Sequence, residues 1–258
     1  MHPRRKIVLF VVEGPTDRTT LFNPISELYE RIDPNIQVIF KPFHGDITAD
    51  KYKKPQQTKF KSVAPGSFES TFYQKIVKPL QNEYEGVYPK CIDQIILITD
   101  TDGAYIPDDA IKEDHSVPNL IYRPDCIISG NKSGTQYRNM QKKEVLNHLV
   151  ELSLLNEIKV QSKTIPFKAY FFSRHLEHFL YNEPNISIQD KIKKADEFYY
   201  SYLGKAEEFK NLLINNDYSS IGLSYEESWE YIKKDVNSLS RRTNLDLLIY
   251  DLWEEGSK

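Results

Sequence analysis

The chain has 258 residues, 40% of them hydrophobic and 28% charged, with a net charge of −3. This composition fits a folded globular protein of one or two domains and excludes a disordered or low-complexity chain. The small negative charge gives no global attraction to a polyanion, so binding of nucleic acid would have to rest on local basic patches or on metal ions. Cys91 and Cys126 lack zinc-ligand spacing and are too few for a disulfide framework, which fits a reducing, cytoplasmic location. The basic start leads into a short apolar run that meets an acid at Glu13, too short for a signal peptide or a membrane span.

The run Lys6-Ile7-Val8-Leu9-Phe10-Val11-Val12 is continuous and apolar and is closed by Gly14-Pro15, which reads as a strand buried on both faces of a parallel sheet. Residues 17 to 32 carry Leu21, Ile25, Leu28, Tyr29 and Ile32 at helical spacing, with Pro24 expected to kink or split the helix. A second strand is expected at Ile36–Phe40. A helix follows from Ser67 or Ser70 to about Tyr84, then a third strand at residues 94 to 99. Residues 103 to 135 are rich in Pro, Asp, Gly and Ser. Within them, Ser129 to Thr135 lacks the ending of a phosphate-binding loop and reads as a flexible basic loop. Tyr137–Leu155 is a strong helix, and Pro166–Phe172 the fourth strand. Beyond Ile188 the pattern is helical, over 188–203, 204–216, 224–240 and 243–253. Strands alternating with helices give an α/β fold with a Rossmann-like parallel sheet of about four strands. The expected division is an α/β domain at 1–182, with an insertion at about 103–165, and a helical subdomain at 183–258.

Acids follow two of these strands. Glu13 stands directly after the first, with Asp17 four residues on, and Asp100 and Asp102 end the third. The carboxyl ends of strands are where open α/β sheets bind ligands. In extended chain, Asp100 and Asp102 share one side. Carboxylates collected from separate strand ends suit a hard divalent cation such as Mg²⁺ or Mn²⁺, as one ion or as two. The plainer alternative is that Glu13 and Asp17 cap a helix and the two aspartates decorate a turn.

The order strand-Glu13-Gly14-x-Thr16-Asp17, then strand-Asp100-x-Asp102, resembles the TOPRIM domain of topoisomerases, primases and related nucleases. Ser173 and Glu177, after the fourth strand, more loosely resemble the Ser…Glu element of OLD-type and RloB-like TOPRIM nucleases, with Arg174-His175 departing from the usual lead. The resemblance implies that Glu13, Asp100 and Asp102 form a catalytic core, that Asp17 and Glu177 complete a second ion position, and that a lysine assists. Lys132 and Lys168 are the candidates for that lysine, each with a solvated surface charge as the alternative. The chain is too short for a topoisomerase gate and too poor in cysteine for a primase zinc module. What the resemblance leaves is a stand-alone metal-dependent endonuclease acting on DNA or RNA, tRNA included, of the kind found in phage defence. It has no ATPase motif, so any ATPase would be a separate partner.

Two other functions stay open: a non-catalytic nucleic-acid- or partner-binding module on the same fold, and a HAD-like phosphatase, against which the Glu ending the first strand argues. Residues 41 to 63 hold Lys41, Lys51, Lys53, Lys54, Lys59 and Lys61 against Asp46 and Asp50, six minus two or +4. This loop is expected on the same sheet edge as the acids, where Lys51, Lys53 and Lys54 would contact phosphates. His175 and His178, three apart, lack a third ligand and are not expected to hold zinc.

Overall fold

The central strand is β1 (Lys6–Val12), in which every residue after Lys6 is buried. Such a run cannot lie at a solvated face, so both sides of the sheet must be covered. The computed structural model describes residues 6–43, 49–50, 61–62, 68–84, 87–215, 217–220 and 222–257. In chain order, β1 is followed by α1 (Pro15–Ile32), β2 (Ile36–Pro42) and the two-residue strands β3 (Ala49–Asp50) and β4 (Lys61–Ser62). Next come α2 (Phe68–Phe72), a π-helical turn and α3 (Lys78–Glu83), then β5 (Ile92–Asp100). The segment after β5 holds β6 (Ile111–Glu113), β7 (Ile121–Tyr122) and β8 (Ile127–Ser129). Then follow α4 (Lys132–Leu155), β9 (Ile158–Val160), β10 (Lys163–Ile165) and β11 (Phe167–Phe172). The chain closes with α5 (Leu176–Tyr181), α6 (Ile188–Tyr202), α7 (Ala206–Ile214), α8 (Tyr225–Ile232) and α9 (Leu245–Gly256).

The main sheet has four strands in the order β11-β5-β1-β2, and all three pairings are parallel. Val12 is level with Pro42, and Phe172 with Asp100. The acids after β1 and at the end of β5 therefore share one edge with the exit of β2. That places the start of the Lys41–Lys61 segment on the predicted edge. Lys51, Lys53, Lys54 and Lys59 lie outside the described residues.

Two apolar clusters cover the sheet. One joins Leu9, Leu97 and Phe171 to α2, α3, α4 and α8, with Trp229 fully buried. The other joins Phe10, Ile96 and Phe172 to α1, α6, α7 and α9. Phe10 stacks on Phe40 at 4.6 Å, and each such buried side chain contributes roughly 1.5–3 kcal/mol. The helices after residue 183 thus complete both layers over the sheet instead of forming a subdomain with its own core. The physical reason is the sheet itself, whose two apolar faces need more cover than the helices before β11 supply. The C-terminal segment also closes the β11 edge: Thr243 Oγ1 donates to the Phe171 carbonyl at 2.6 Å, and Asn244 Oδ1 accepts from the Phe171 N–H at 2.8 Å.

Three further expectations change. Helix α1 runs through Pro24 without splitting, because Pro24 is buried on the same face as Leu21, Ile25 and Leu28 and packing outweighs one lost hydrogen bond. The irregular stretch after β5 carries a small three-stranded sheet, β6-β8-β7. The predicted loop Ser129–Thr135 is a strand-to-helix junction: Asn131 caps α4, its Oδ1 accepting from the Gly134 N–H at 2.9 Å.

Candidate functional site

Glu13 leaves β1 at the carboxyl edge, half-buried. Its Oε1 accepts from Thr99 Oγ1 at 2.6 Å and from the Asp100 N–H at 3.0 Å, so the end of β5 fixes the carboxylate that ends β1. Asp17 sits in the first turn of α1 and accepts from the Gly14 N–H at 2.8 Å, the helix-capping role of the plainer alternative. One oxygen of Asp17 is thereby spent on the cap, and the residue still belongs to the cluster. Burial, with the neighbouring Glu177, pushes its carboxyl up to about 6, against the Gly14 hydrogen bond and the Lys191 ammonium.

Asp100 is the last residue of β5. Burial first, then the charges of Glu13, Asp17 and Asp102, push its carboxyl well above the usual range, and Lys191 offsets this only in part. Asp102 does not continue an extended chain. It has φ 49°, followed by Gly103 at φ 68°, so the pair turns left-handed and directs Asp102 to a different partner from Asp100. The positive φ of Gly103 strains any side chain placed there, and an added Cβ would also push on the Leu239 methyl at 2.5 Å. The turn is tied down by the Asp102 N–H donating to the Arg174 carbonyl at 3.1 Å.

That partner is Lys142, which sequence reasoning missed. Its side chain is 1% exposed, its Nζ lies 2.6 Å from Asp102 Oδ2 and 3.8 Å from Glu13 Oε1, and it projects from α4. Burial alone would raise the Asp102 carboxyl, but Lys142 and Arg138 outweigh it and hold the group below its usual value. Arg138, one turn earlier on α4, donates from Nη2 to the Asp102 carbonyl at 3.1 Å.

A second missed lysine closes the other side. Lys191, from α6, lies 2.8 Å from Glu177 Oε2, and His175 Nδ1 lies 3.0 Å from the same oxygen. Burial pushes Glu177 up, but His175 and Lys191 prevail and bring it down to about 2. The charges of Asp100, Glu177 and Asp17 outweigh burial at Lys191 and raise its pKa. The signal for both lysines was in the helical spacing: Lys142 is in register with Val145 and Leu149, and Lys191 with Ala195 and Phe198, all buried. A lysine on an apolar stripe needs a buried acid.

Glu13, Asp17, Asp100, Asp102 and Glu177 are therefore brought to one region. Lys132 and Lys168 are not. The Lys132 backbone N–H meets Glu113 Oε1 at 3.3 Å at the start of α4, while Lys168 Nζ donates to the Ser153 carbonyl at 2.8 Å and lies over the Tyr225 ring. Lys168 stands in the first half of β11, away from the carboxyl edge. Burial and nearby cations push His178 down to about 3, so it stays neutral beside His175.

The donor set is carboxylate oxygen without thiolate, the chemistry of a hard divalent cation. The Asp100 carboxylate accepts no hydrogen bond from any described residue. Among the described residues, however, no three His, Cys, Asp or Glu side chains stand close enough to hold a metal ion as they lie. The reason is visible in the contacts: Lys142 draws Glu13 and Asp102, Lys191 and His175 draw Glu177, and the Gly14 N–H draws Asp17. A cation there would have to draw Asp17 or Glu13 away from those partners to join Asp100.

Fold and site together define an α/β protein with a parallel four-stranded sheet and a lysine-laced acidic cluster at its carboxyl edge. Comparison with protein-family models, with curated proteins and with solved structures finds no match. No helix of the described residues is long and apolar enough to cross a membrane.

Proposed function

We propose that this chain hydrolyses phosphodiester bonds of nucleic acid with the help of Mg²⁺ or Mn²⁺, as the TOPRIM resemblance implies. The observation that carries the reading is Asp100 at the end of β5, an acid pushed up by burial and then by the charges of Glu13, Asp17 and Asp102 gathered at the same sheet edge. A divalent cation supplies Lewis-acid stabilisation of phosphate charge and activates water. Asp100, Asp17 and Glu13 would hold it. The protein's own contribution is electrostatic and positional. Lys142 and Arg138 hold Asp102 ionised beside the cluster, and the buried Lys142 ammonium adds a fixed positive charge to the field around a phosphate bound there. Glu13 is oriented by Thr99 and the Asp100 N–H, as a carboxylate that accepts a proton from water must be. DNA and RNA, tRNA included, remain the substrate classes. A separately encoded ATPase and a phage-defence setting belong to the resemblance.

A second reading has its own observation. With Lys142 and Lys191 already paired to Glu13, Asp102 and Glu177, the cluster is partly neutralised, as in a non-catalytic binding module that uses lysines where a nuclease uses metal. The purified protein, incubated with a mixed panel of DNA and RNA in Mg²⁺, Mn²⁺ or chelator, separates the two. Metal-dependent cleavage lost in Asp100→Asn supports the hydrolase. Binding of the panel without cleavage under any metal supports the module.

A further inference from the structure

A second feature of the described residues adjoins the acid cluster. A cavity of about 510 Å³ lies beside the first turns of α4, between the 117–120 loop and the end of β8. It shares Arg138 with the site, since Arg138 both lines the cavity and donates to the Asp102 carbonyl at 3.1 Å. One turn on, Lys142 reaches Asp102 Oδ2 at 2.6 Å.

We propose that this cavity takes an unpaired nucleobase of the substrate, next to the acids with which it shares Arg138; the inference rests on the nucleic-acid reading above. The lining has the chemistry a base requires. The Tyr137 ring is 44% exposed, with its hydroxyl held by Gln141 Nε2 at 2.8 Å, so a flat face is fixed in the open as a stacking platform. Leu120 adds an apolar wall, and the paired hydroxyls of Ser129 and Thr135, 2.8 Å apart, a polar one. The exposed Asn119 amide has no hydrogen-bond partner among the described residues, and an amide offers a donor and an acceptor to a base edge. Arg138 stands between the cavity and Asp102, where a linking phosphate would pass. A base paired in a duplex cannot leave its stack to enter without an unpairing penalty. The cavity therefore selects single strands, loops or bulges over duplex.

The test is a nuclear magnetic resonance titration of the whole chain with the four nucleoside 5′-monophosphates and with ribose 5-phosphate. Nucleotides are expected to shift the amides of residues 117–120 and 129–138, while ribose 5-phosphate leaves them in place. Tyr137→Ala should weaken nucleotide binding about tenfold or more, and Tyr137→Phe, which keeps the ring, should retain it. Equal shifts from ribose 5-phosphate, or wild-type affinity in Tyr137→Ala, overturn the proposal. A cleavage assay on a single strand and its duplex separates this from the parent reading. Cleavage that ignores Tyr137→Ala and favours neither form removes the pocket and leaves the hydrolase. Nucleotide binding at the cavity without cleavage of any substrate removes the hydrolase and leaves the pocket.

Discussion

Replacing Lys142 by Met keeps the aliphatic stem and deletes the charge that holds Asp102 at 2.6 Å and adjoins Glu13 at 3.8 Å. Breaking a buried pair costs about 3–5 kcal/mol, because the surviving charge is left desolvated. Here Asp102 keeps 27% of its side chain accessible, so the expected loss is about 2–4 kcal/mol at pH 7. The pH dependence follows from the shift at Asp102. Its folded pKa lies below the unfolded one, so it contributes stability above the unfolded value, and this is lost as pH falls through the folded value. Without Lys142 that contribution goes, and the gap between variant and wild type should narrow below about pH 4. Urea unfolding at pH 7 and pH 4 measures both gaps. Lys142→Met combined with Asp102→Asn should recover part of the loss, since no charge is then stranded beside Asp102. A loss under about 1 kcal/mol at pH 7, or one independent of pH, would refute the reasoning.

Asp100→Asn should abolish metal-dependent cleavage yet stabilise the metal-free fold, because a carboxyl whose folded pKa is raised costs stability once ionised. The gain should grow as pH rises from about 4, and a melting temperature higher by about 2–4 °C at pH 7 corresponds to roughly 1 kcal/mol; equal melting temperatures at all pH values would count against it. Lys191→Met should tighten Mn²⁺ binding in a calorimetric titration, since the ammonium already offsets the charges of Asp100 and Asp17 and so competes with a cation at those acids, whereas Lys191→Arg should not. Unchanged or weaker binding in Lys191→Met would deny that competition. Replacing Lys51, Lys53 and Lys54 together should weaken nucleic-acid binding and flatten its salt dependence by roughly one unit of slope per lost contact. An unaltered slope would assign those lysines to solvent.

The sheet was legible because buried parallel strands are written as continuous apolar runs. Expected at 94–99 and 166–172, the later strands run over Ile92–Asp100 and Phe167–Phe172. The small sheet between β5 and α4 was not legible. Its strands have two or three residues each, too few to show a period, and they sit among Pro, Asp and Gly that elsewhere mean loop. The C-terminal helices announced their apolar faces but not what those faces cover. Acids at strand ends were readable as a set, since strand order in a parallel sheet brings carboxyl ends together. Their separate partners were not: Asp102 turns away because two residues in a row adopt positive φ, and only Gly103 hinted at it.

Charge balance is the step that joins site to function. Glu13, Asp17, Asp100, Asp102 and Glu177 face Lys142, Lys191 and Arg138, five minus three, which leaves two formal negative charges. A cluster built only to fasten elements together would be matched in charge, because unmatched buried carboxylates destabilise a fold. This one is matched at its flanks, where Asp102 and Glu177 are held ionised, and unmatched at its centre, where Asp100 is pushed up. Two responses relieve that centre: Asp100 takes a proton, or a divalent cation takes the place of both proton and repulsion. The first makes the site a function of pH alone. The second makes it a function of metal, and gives the two flanking lysines a reason to stand where they do, holding the outer acids ionised and in place around the position a cation would enter.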